Sequence, residues 1–412
     1  MSFDNIITSI DIGGSKIKTV IGRFDENDKN NFAVLGVGVV SSNAMRKGNI
    51  LDMDEFKQNL DKSLEEAERM AGEQVAGAYV SFNSSSIEVV NNKGIIAISG
   101  DEIKNDDVIR VLDMARNGVE LPNREILKVI PDCFTVDLEE GIKSPVGMTA
   151  RKLEVKANIF SIGSNVLNNI KKAISDVGIE VLDIYPNILR ASEGVLTKRQ
   201  KELGVVCIDI GSSTTGITVF EEGTLKFASI IPFGGDSVTN DVALGVRTSI
   251  DTAEKLKLEF GALNLDKDES IKDVEIDLAK LTNNIEEGNV SKKYLSQIIT
   301  ARYEEIIYLV KDELKKIGRD GMLPEGAVIV GGAAKMKGLV EMTKELLRLP
   351  TIVGLPTEKE AISGTFISDP SFASVIGTMI LANKHSMEHT GININIGNIF
   401  GSIVKVFKKI MP

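Results

Sequence analysis

The sequence predicts an α/β chain of two duplicated halves, with a small α+β block inserted in the first half and an amphipathic helix at the end. Three observations lead there. Ile10-Asp11-Ile12-Gly13-Gly14-Ser15-Lys16 near the start is repeated as Ile208-Asp209-Ile210-Gly211-Ser212-Ser213-Thr214 almost halfway along. Strand-like and helix-like stretches alternate across both halves. Residues 399–412 place apolar side chains at helical spacing with lysines toward the other side.

Each copy of the repeat follows an apolar strand and leads into a second β-rich stretch, residues 19–22 in the first copy and 216–220 in the second, so each reads as a hairpin. Between the copies, residues 94–99 read as a strand and 106–116 as a helix. Residues 126–131 and 152–161 read as further strands, the latter alternating Leu153, Val155, Ala157 and Ile159 with polar neighbours. This is the α+β insertion. After the second hairpin come helical stretches at 236–244, 252–260 and 291–317, then a buried strand at 327–330 ending in Gly331-Gly332 before a helix. Residues 268–287 are charged and irregular, and read as a solvated edge.

With 412 residues, 42% of them apolar and 26% charged, the chain can bury several cores. No run approaches the roughly 18 apolar residues of a membrane span, and no leader pattern opens the chain, so a cytoplasmic protein is expected. Cys133 and Cys207 lie far apart without metal-ligand spacing, which argues against a disulfide scaffold; Cys207 sits in an apolar run where a buried thiol is usual. His385 and His389 stand at i and i+4 without a third ligand, so no metal site is assigned to them. A net charge of −11 argues against a nucleic-acid partner.

The chain has no G-x-x-x-x-G-K-[ST] phosphate loop. Small residues after each aspartate let the hairpin turn approach a ligand closely, and backbone N–H groups of Gly13, Gly14 and Ser15, with those of Gly211, Ser212 and Ser213, would grip a triphosphate from two sides. Asp11 and Asp209 suit the water shell of Mg²⁺, and Lys16 would add charge toward the phosphates. A single such turn is an ordinary tight turn after a strand; two copies at the starts of two halves are harder to explain that way. Gly331, Gly332 and Ala333 leave room for a base or ribose. Glu254 and Lys257 share one helical face, where they either line the nucleoside or form an exposed ion pair.

The order of these elements, with a Gly234-Gly235-Asp236 turn, resembles the actin, Hsp70 and sugar-kinase superfamily. Within it the chain is similar to the FtsA family over nearly its full length. The stretches that carry the likeness include Arg46-Lys47-Gly48-Asn49-Ile50, Gly141-Ile142-Lys143-Ser144-Pro145-Val146-Gly147-Met148, Arg190-Ala191-Ser192-Glu193-Gly194, Ile231-Pro232-Phe233-Gly234-Gly235, Ala301-Arg302-Tyr303-Glu304-Glu305-Ile306 and Pro370-Ser371-Phe372-Ala373. The resemblance implies an actin-like fold with two ATPase halves and an SHS2-type 1C domain. Its implied boundaries are 1–83 for the first part of subdomain 1A, 84–162 for 1C, 163–203 for 1A continued, 204–240 for 2A, 241–318 for 2B, 319–362 for 2A continued and 363–390 for the closing helix of 1A. A linker, 391–398, and a membrane-targeting helix, 399–412, would follow.

It also implies ATP and Mg²⁺ as cofactors, with the nucleotide held by Asp11, Gly13, Gly14, Ser15, Lys16, Asp209, Gly211, Ser212, Ser213, Thr214, Gly234, Gly235, Glu254, Lys257, Gly331, Gly332 and Ala333. Implied partners are further copies of the chain in filaments, the C-terminal tail of the tubulin-like protein FtsZ, an anionic membrane surface on the cytoplasmic side at the division site, and other division proteins through 1C. Arg302 and Lys293 are the residues expected to pair with the acidic tail; the alternative for Arg302 is a helix ion pair. Relatives resembling MreB carry a glutamate in an E-P-x-A-A stretch where this chain reads Tyr185-Pro186-Asn187-Ile188-Leu189, so a tyrosine is expected in place of a water-activating carboxylate. No catalytic residue is assigned, and nucleotide is expected to gate assembly, with weak ATPase activity at most.

In the final helix Ile399, Phe400, Ile403, Val404, Phe407 and Ile410 fall on one face, and Lys405, Lys408 and Lys409 lie toward the other. Residues 397–412 would make a helix of roughly 24 Å, too short to cross a hydrocarbon core of about 30 Å. It would lie flat on an anionic surface, or alternatively dock on its own core. Two other functions fit the superfamily. A small-molecule kinase would need a sugar pocket with a catalytic aspartate, which is not identifiable, and a PilM-like pilus-assembly ATPase ordinarily has no terminal amphipathic anchor.

Overall fold

The computed structural model describes residues 6–24, 32–265, 272–282, 286, 288–356 and 368–388, with side chains to 383. The membrane-helix reading of 399–412 and its linker lie outside the described residues, as do His389 and the side chain of His385.

The duplication read from the repeat extends to whole sheets. In the first half, Ile6–Ile12 pairs antiparallel with Lys16–Phe24, which pairs with Phe32–Ser41; on its other side Ile6–Ile12 pairs parallel with Gly77–Phe82, followed by Glu180–Pro186. In the second half, Val205–Ile210 pairs with Thr215–Glu221 and then Thr224–Ile231 on one side, and parallel with Ala327–Val330 and Thr351–Val353 on the other. The two sheets have the same strand order. Their central strands are buried along nearly every residue, as expected when both faces are covered. Helix Met53–Ala71 covers the first sheet; Asp52 caps it by accepting from the N–H groups of Asp54 and Glu55, and Gly72 ends it.

The inserted block has the strand order Glu88–Ala97, Lys152–Gly163, Arg124–Val136, Glu139–Ile142, with helix Asn105–Asn117 packed on one face through Val108, Val111 and Leu112. It grips both halves. Lys128 Nζ donates to both carboxylate oxygens of Asp183 at 2.8 and 2.7 Å, anchoring the insert to the first half. On the second half, Lys226 Nζ lies 2.9 Å from Asp132, and Asn158 Nδ2 donates to the Leu225 carbonyl at 2.9 Å.

Two details of the sequence reading are corrected. Gly331-Gly332 does not open an α-helix: Gly332–Lys335 is a single 3-10 turn closed by short-range bonds such as Met336 N–H to the Ala333 carbonyl, and the helix proper is Leu339–Leu347. The described part of 268–287 is not irregular. Glu275–Asp277 pairs with Asn289–Ser291 and leads into Leu278–Thr282, because Ile276, Leu278 and Val290 are buried in the second half's core. Cys133 and Cys207 are free thiols, and burial pushes the Cys207 thiol upward.

Candidate functional site

A cavity of about 510 Å³ opens where the two hairpin turns face each other. Asp11, Gly13, Gly14, Ser15 and Lys16 line it from one half; Asp209, Gly211, Ser212, Ser213 and Thr214 line it from the other. Of the other expected residues, Gly235, Glu254, Lys257, Gly331, Gly332 and Ala333 also line it. Gly234 does not line it. The turn it begins is instead pinned to the second hairpin, Gly235 N–H donating to the Gly211 carbonyl at 2.9 Å and Asp236 N–H to the Ser212 carbonyl at 2.7 Å.

The turns are closed alike. Gly13 N–H donates to the Lys16 carbonyl and Gly211 N–H to the Thr214 carbonyl, each at 3.0 Å. Those two N–H groups are therefore engaged within the turns, which corrects the expectation that all three in each turn grip phosphate. The groups left for an anion are those of Gly14 and Ser15 and of Ser212 and Ser213. Gly14 brings the two turns close together: a Cβ there would come within 2.8 Å of Ser213 Oγ and closer still to Ser212 Oγ, so those two hydroxyls would have to rotate away to admit a side chain.

The charge beside Asp11 is Lys18, not Lys16. Lys16 is exposed at the cavity edge, whereas Lys18 lies opposite Asp11 in the hairpin register. Its ammonium donates to Asp11 at 3.1 Å and to the Ser371 carbonyl at 2.7 Å. Asn187 Nδ2 donates to the other Asp11 oxygen at 2.7 Å. Among the described residues, no donor reaches Asp209. Burial first, and then the Asp11 charge, push its carboxyl up to about 7, with Lys18 opposing.

At the far end, Lys257 is buried rather than part of an exposed pair. It donates to Thr239 Oγ1 at 2.7 Å and the Gly235 carbonyl at 3.2 Å, and pairs with Glu254 at 2.5 Å. Tyr303 and Met336 also line the cavity. Free N–H groups on two facing turns, two carboxylates, and a lining that includes Tyr303, Met336 and small residues fit a nucleoside polyphosphate with a hydrated divalent cation.

Tyr185 is not at this site. It is fully buried, with Lys128 Nζ 4.1 Å and the Arg190 guanidinium 3.9 Å from its ring centre. Burial and the neighbouring Asp183 push its phenol upward. Burial also raises Asp183, but the Lys128 charge and hydrogen bonds outweigh it and hold that carboxyl low. The residue of this stretch that enters the cavity is Asn187. Sequence reasoning missed Lys18, Asn83, Asn187, Tyr303 and Met336 among the lining residues; of these, Lys18 carried a usable signal, its register position across from Asp11.

Arg302 is engaged within the chain. Its guanidinium donates to Asp241 at 2.5 and 3.0 Å and to Glu305 at 2.6 Å. Lys293 donates its backbone N–H to Asp273 at 3.1 Å. No helix among the described residues is long and apolar enough to cross a membrane.

Two family models match the chain: "Cell division protein FtsA" over residues 206–377 and "SHS2 domain inserted in FTSA" over residues 84–161. Cell division protein FtsA of Pseudomonas aeruginosa is 31% identical over 387 residues, covering 91% of this chain and 88% of that one. The Bacillus subtilis protein of the same name is 32% identical, over 94% of this chain and 85% of its own length. Among solved structures, a PilM-PilN type IV pilus biogenesis complex aligns with a TM-score of 0.63 at 14% identity, over 92% of this chain and 98% of that one. MreB5 of Spiroplasma citri bound to ADP aligns with a TM-score of 0.55 at 15% identity, over 94% and 99%. At such identities these two are likenesses of fold, and the fold is the actin-like one.

Proposed function

The chain belongs to the FtsA family of cell division proteins, and from that premise we propose that it is an ATP-binding, filament-forming adaptor joining FtsZ filaments to the cytoplasmic membrane. The observation that carries this reading is the facing pair of duplicated turns around one cavity of about 510 Å³. ATP would lie with its phosphates between Gly14-Ser15 and Ser212-Ser213 and its nucleoside toward Glu254, Lys257 and Gly331 to Ala333. Asp11 and Asp209 would hold Mg²⁺ through water. Nucleotide closes the two halves on each other in this proposal, and closure favours assembly.

The subdomain boundaries of the sequence reading are part of the proposal, with the insert as the face for other division proteins. The FtsZ tail would bind on the 241–318 region. An acidic tail there competes with Asp241 and Glu305 for Arg302, a fork-to-carboxylate exchange that lets it replace one set of charge-assisted bonds with another. Residues 399–412 supply the anchor. One short helix binds a membrane weakly and reversibly, and linking copies in a filament raises avidity by about 10² to 10⁴.

Co-sedimentation with anionic liposomes and a synthetic FtsZ tail, with and without ATP, tests the reading. ATP should increase pelleting of the full chain. Deleting residues 399–412, or replacing Phe400 and Phe407 with Asp, should abolish liposome pelleting and leave ATP binding intact. Pelleting that survives the deletion would refute the anchor; ATP binding that is absent would refute the site.

A further inference from the structure

We propose that the insert is a strap that holds the two halves closed around bound nucleotide, with the joint between Asp132 and Lys226 as its release point. The inference rests on the ATP-binding reading of the cavity. The insert leaves the first half after strand Gly77–Phe82 and returns at helix Ser164–Asp176, so the chain ties it to the first half and noncovalent contacts tie it to the second. Both grips lie on one strand, Arg124–Val136, with Lys128 on Asp183 of the first half and Asp132 on Lys226 of the second. A bulge sets the position of Asp132. Pro131 pairs with Ala157 and Cys133 with Lys156, so Asp132 is the extra residue between them, and a bulge re-aims the side chain it inserts. Proline suits that place, since it has no N–H to give the ladder. Asp132 is buried and meets Lys226 at 2.9 Å, Lys156 at 3.4 Å and Thr224 Oγ1 at 3.3 Å.

The insert is one packed sheet and helix, and packed units shift as bodies, so rotating one half against the other must break one of the two grips. Exposure decides which. Lys128 has a side chain only 4% exposed, holds both carboxylate oxygens of Asp183 and lies over the Tyr185 ring, so pulling it away strands a buried charge. The side chains of Lys226 and Lys156 are 23% and 49% exposed, so water can replace Asp132 at each, and Glu222 at 3.0 Å stays with Lys226. The second grip therefore lets go first, and the insert stays with the first half. That grip is made while the two phosphate turns stand together, close enough that a Cβ on Gly14 would come within 2.8 Å of Ser213 Oγ across the cleft. Joint and nucleotide thus favour the same arrangement of the halves, and by linkage each strengthens the other. Breaking the joint frees the halves to part and shortens the residence of the nucleotide.

The test uses the full chain with Mg²⁺ and two measurements. One is the rate at which a fluorescent form of the non-hydrolysable analogue AMPPNP leaves when chased with unlabelled ATP. The other is the distance, by electron double resonance, between nitroxides on Met114→Cys of the insert and Met322→Cys of the second half. Both positions are exposed, and a Cys133→Ser background leaves the buried Cys207 as the remaining native thiol. Lys226→Glu sets two carboxylates against each other; it should speed release about tenfold, change the association rate less than about threefold, and broaden the distances in nucleotide-free protein. Adding Asp132→Asn, whose amide can donate to the new carboxylate, should restore most of both. Lys143→Ala removes an exposed pair between the insert and Glu202 and should change release less than about twofold. If Lys226→Glu does not fold, Lys226→Ala takes its place, with release about threefold faster. Broadened distances with wild-type release, unchanged distances, or slower release would overturn the strap. Wild-type protein that binds no AMPPNP would overturn the ATP reading instead, and the distances would still decide the joint.

Discussion

The two copies of the hairpin share strand order and turn closure, yet they hold their aspartates in opposite ways. Opposite Asp11 stands Lys18; opposite Asp209, at the same place in the register, stands Gly216. Lys18 and Asn187 both donate to Asp11, whereas Gly216 leaves room for Ile188 to pack over the strand and supplies no donor to Asp209. Duplication conserved the backbone and let the electrostatics diverge. One carboxylate is held in place before any ligand arrives, and the other is poised to respond to one.

The largest expected effect comes from breaking the first cluster. Asp11→Ala strands a buried ammonium and should cost about 3–5 kcal/mol in denaturant unfolding, while Asp209→Ala should cost none of this and Asp11→Ala/Lys18→Met should recover most of it. Equal losses at the two aspartates would erase the distinction.

Next comes a pH dependence confined to the second copy. The Asp209 carboxyl sits at about 7 in the fold against an ordinary 3.8, so its contribution to stability is full below about pH 4 and is lost as pH rises through 7. Asp209→Asn removes that loss. Without nucleotide, the variant should exceed wild type by on the order of 3 kcal/mol at pH 8 and converge with it near pH 4. Parallel pH profiles of unfolding would contradict this.

A smaller effect is expected where the turns meet. Gly14→Ser makes the first turn resemble the second, which has Ser212 at the matching place, but the Oγ of Ser212 already fills that space. Nucleotide affinity by calorimetry should fall about tenfold, or roughly 1.4 kcal/mol, with unfolding little changed. Smallest of all is Lys16→Ala. An exposed charge at the cavity edge should change affinity only about two- to threefold, and added salt should shrink even that.

Most of the cavity wall was legible because its parts are short and repeated: Asp11 to Lys16 and Asp209 to Thr214 are local turns whose residue types announce their backbone needs. Lys18 was legible in principle. With Gly13 and Lys16 closing the turn, Ile12 faces Ile17 and Asp11 faces Lys18. Tyr185 misled, because matching it to a motif placed it at the site while the pocket between Lys128 and Arg190 took the ring elsewhere. Lys128 belongs to the insert and Arg190 to a helix of the first half, so no reading of the local stretch could have found that pocket.

By itself the sequence determined the two halves, the insert, the paired turns and the family resemblance, all of which follow from local spacing and from a pattern that occurs twice. Only the tertiary structure decided which lysine faces Asp11, that Asp209 is left unpaired, and that Asn187 enters the site. Asn187 and Asp11 lie 176 residues apart and meet only where parallel strands of one sheet end side by side. Strand pairing across that distance is set by the burial of whole sheets, and the polar contacts at their ends follow from it.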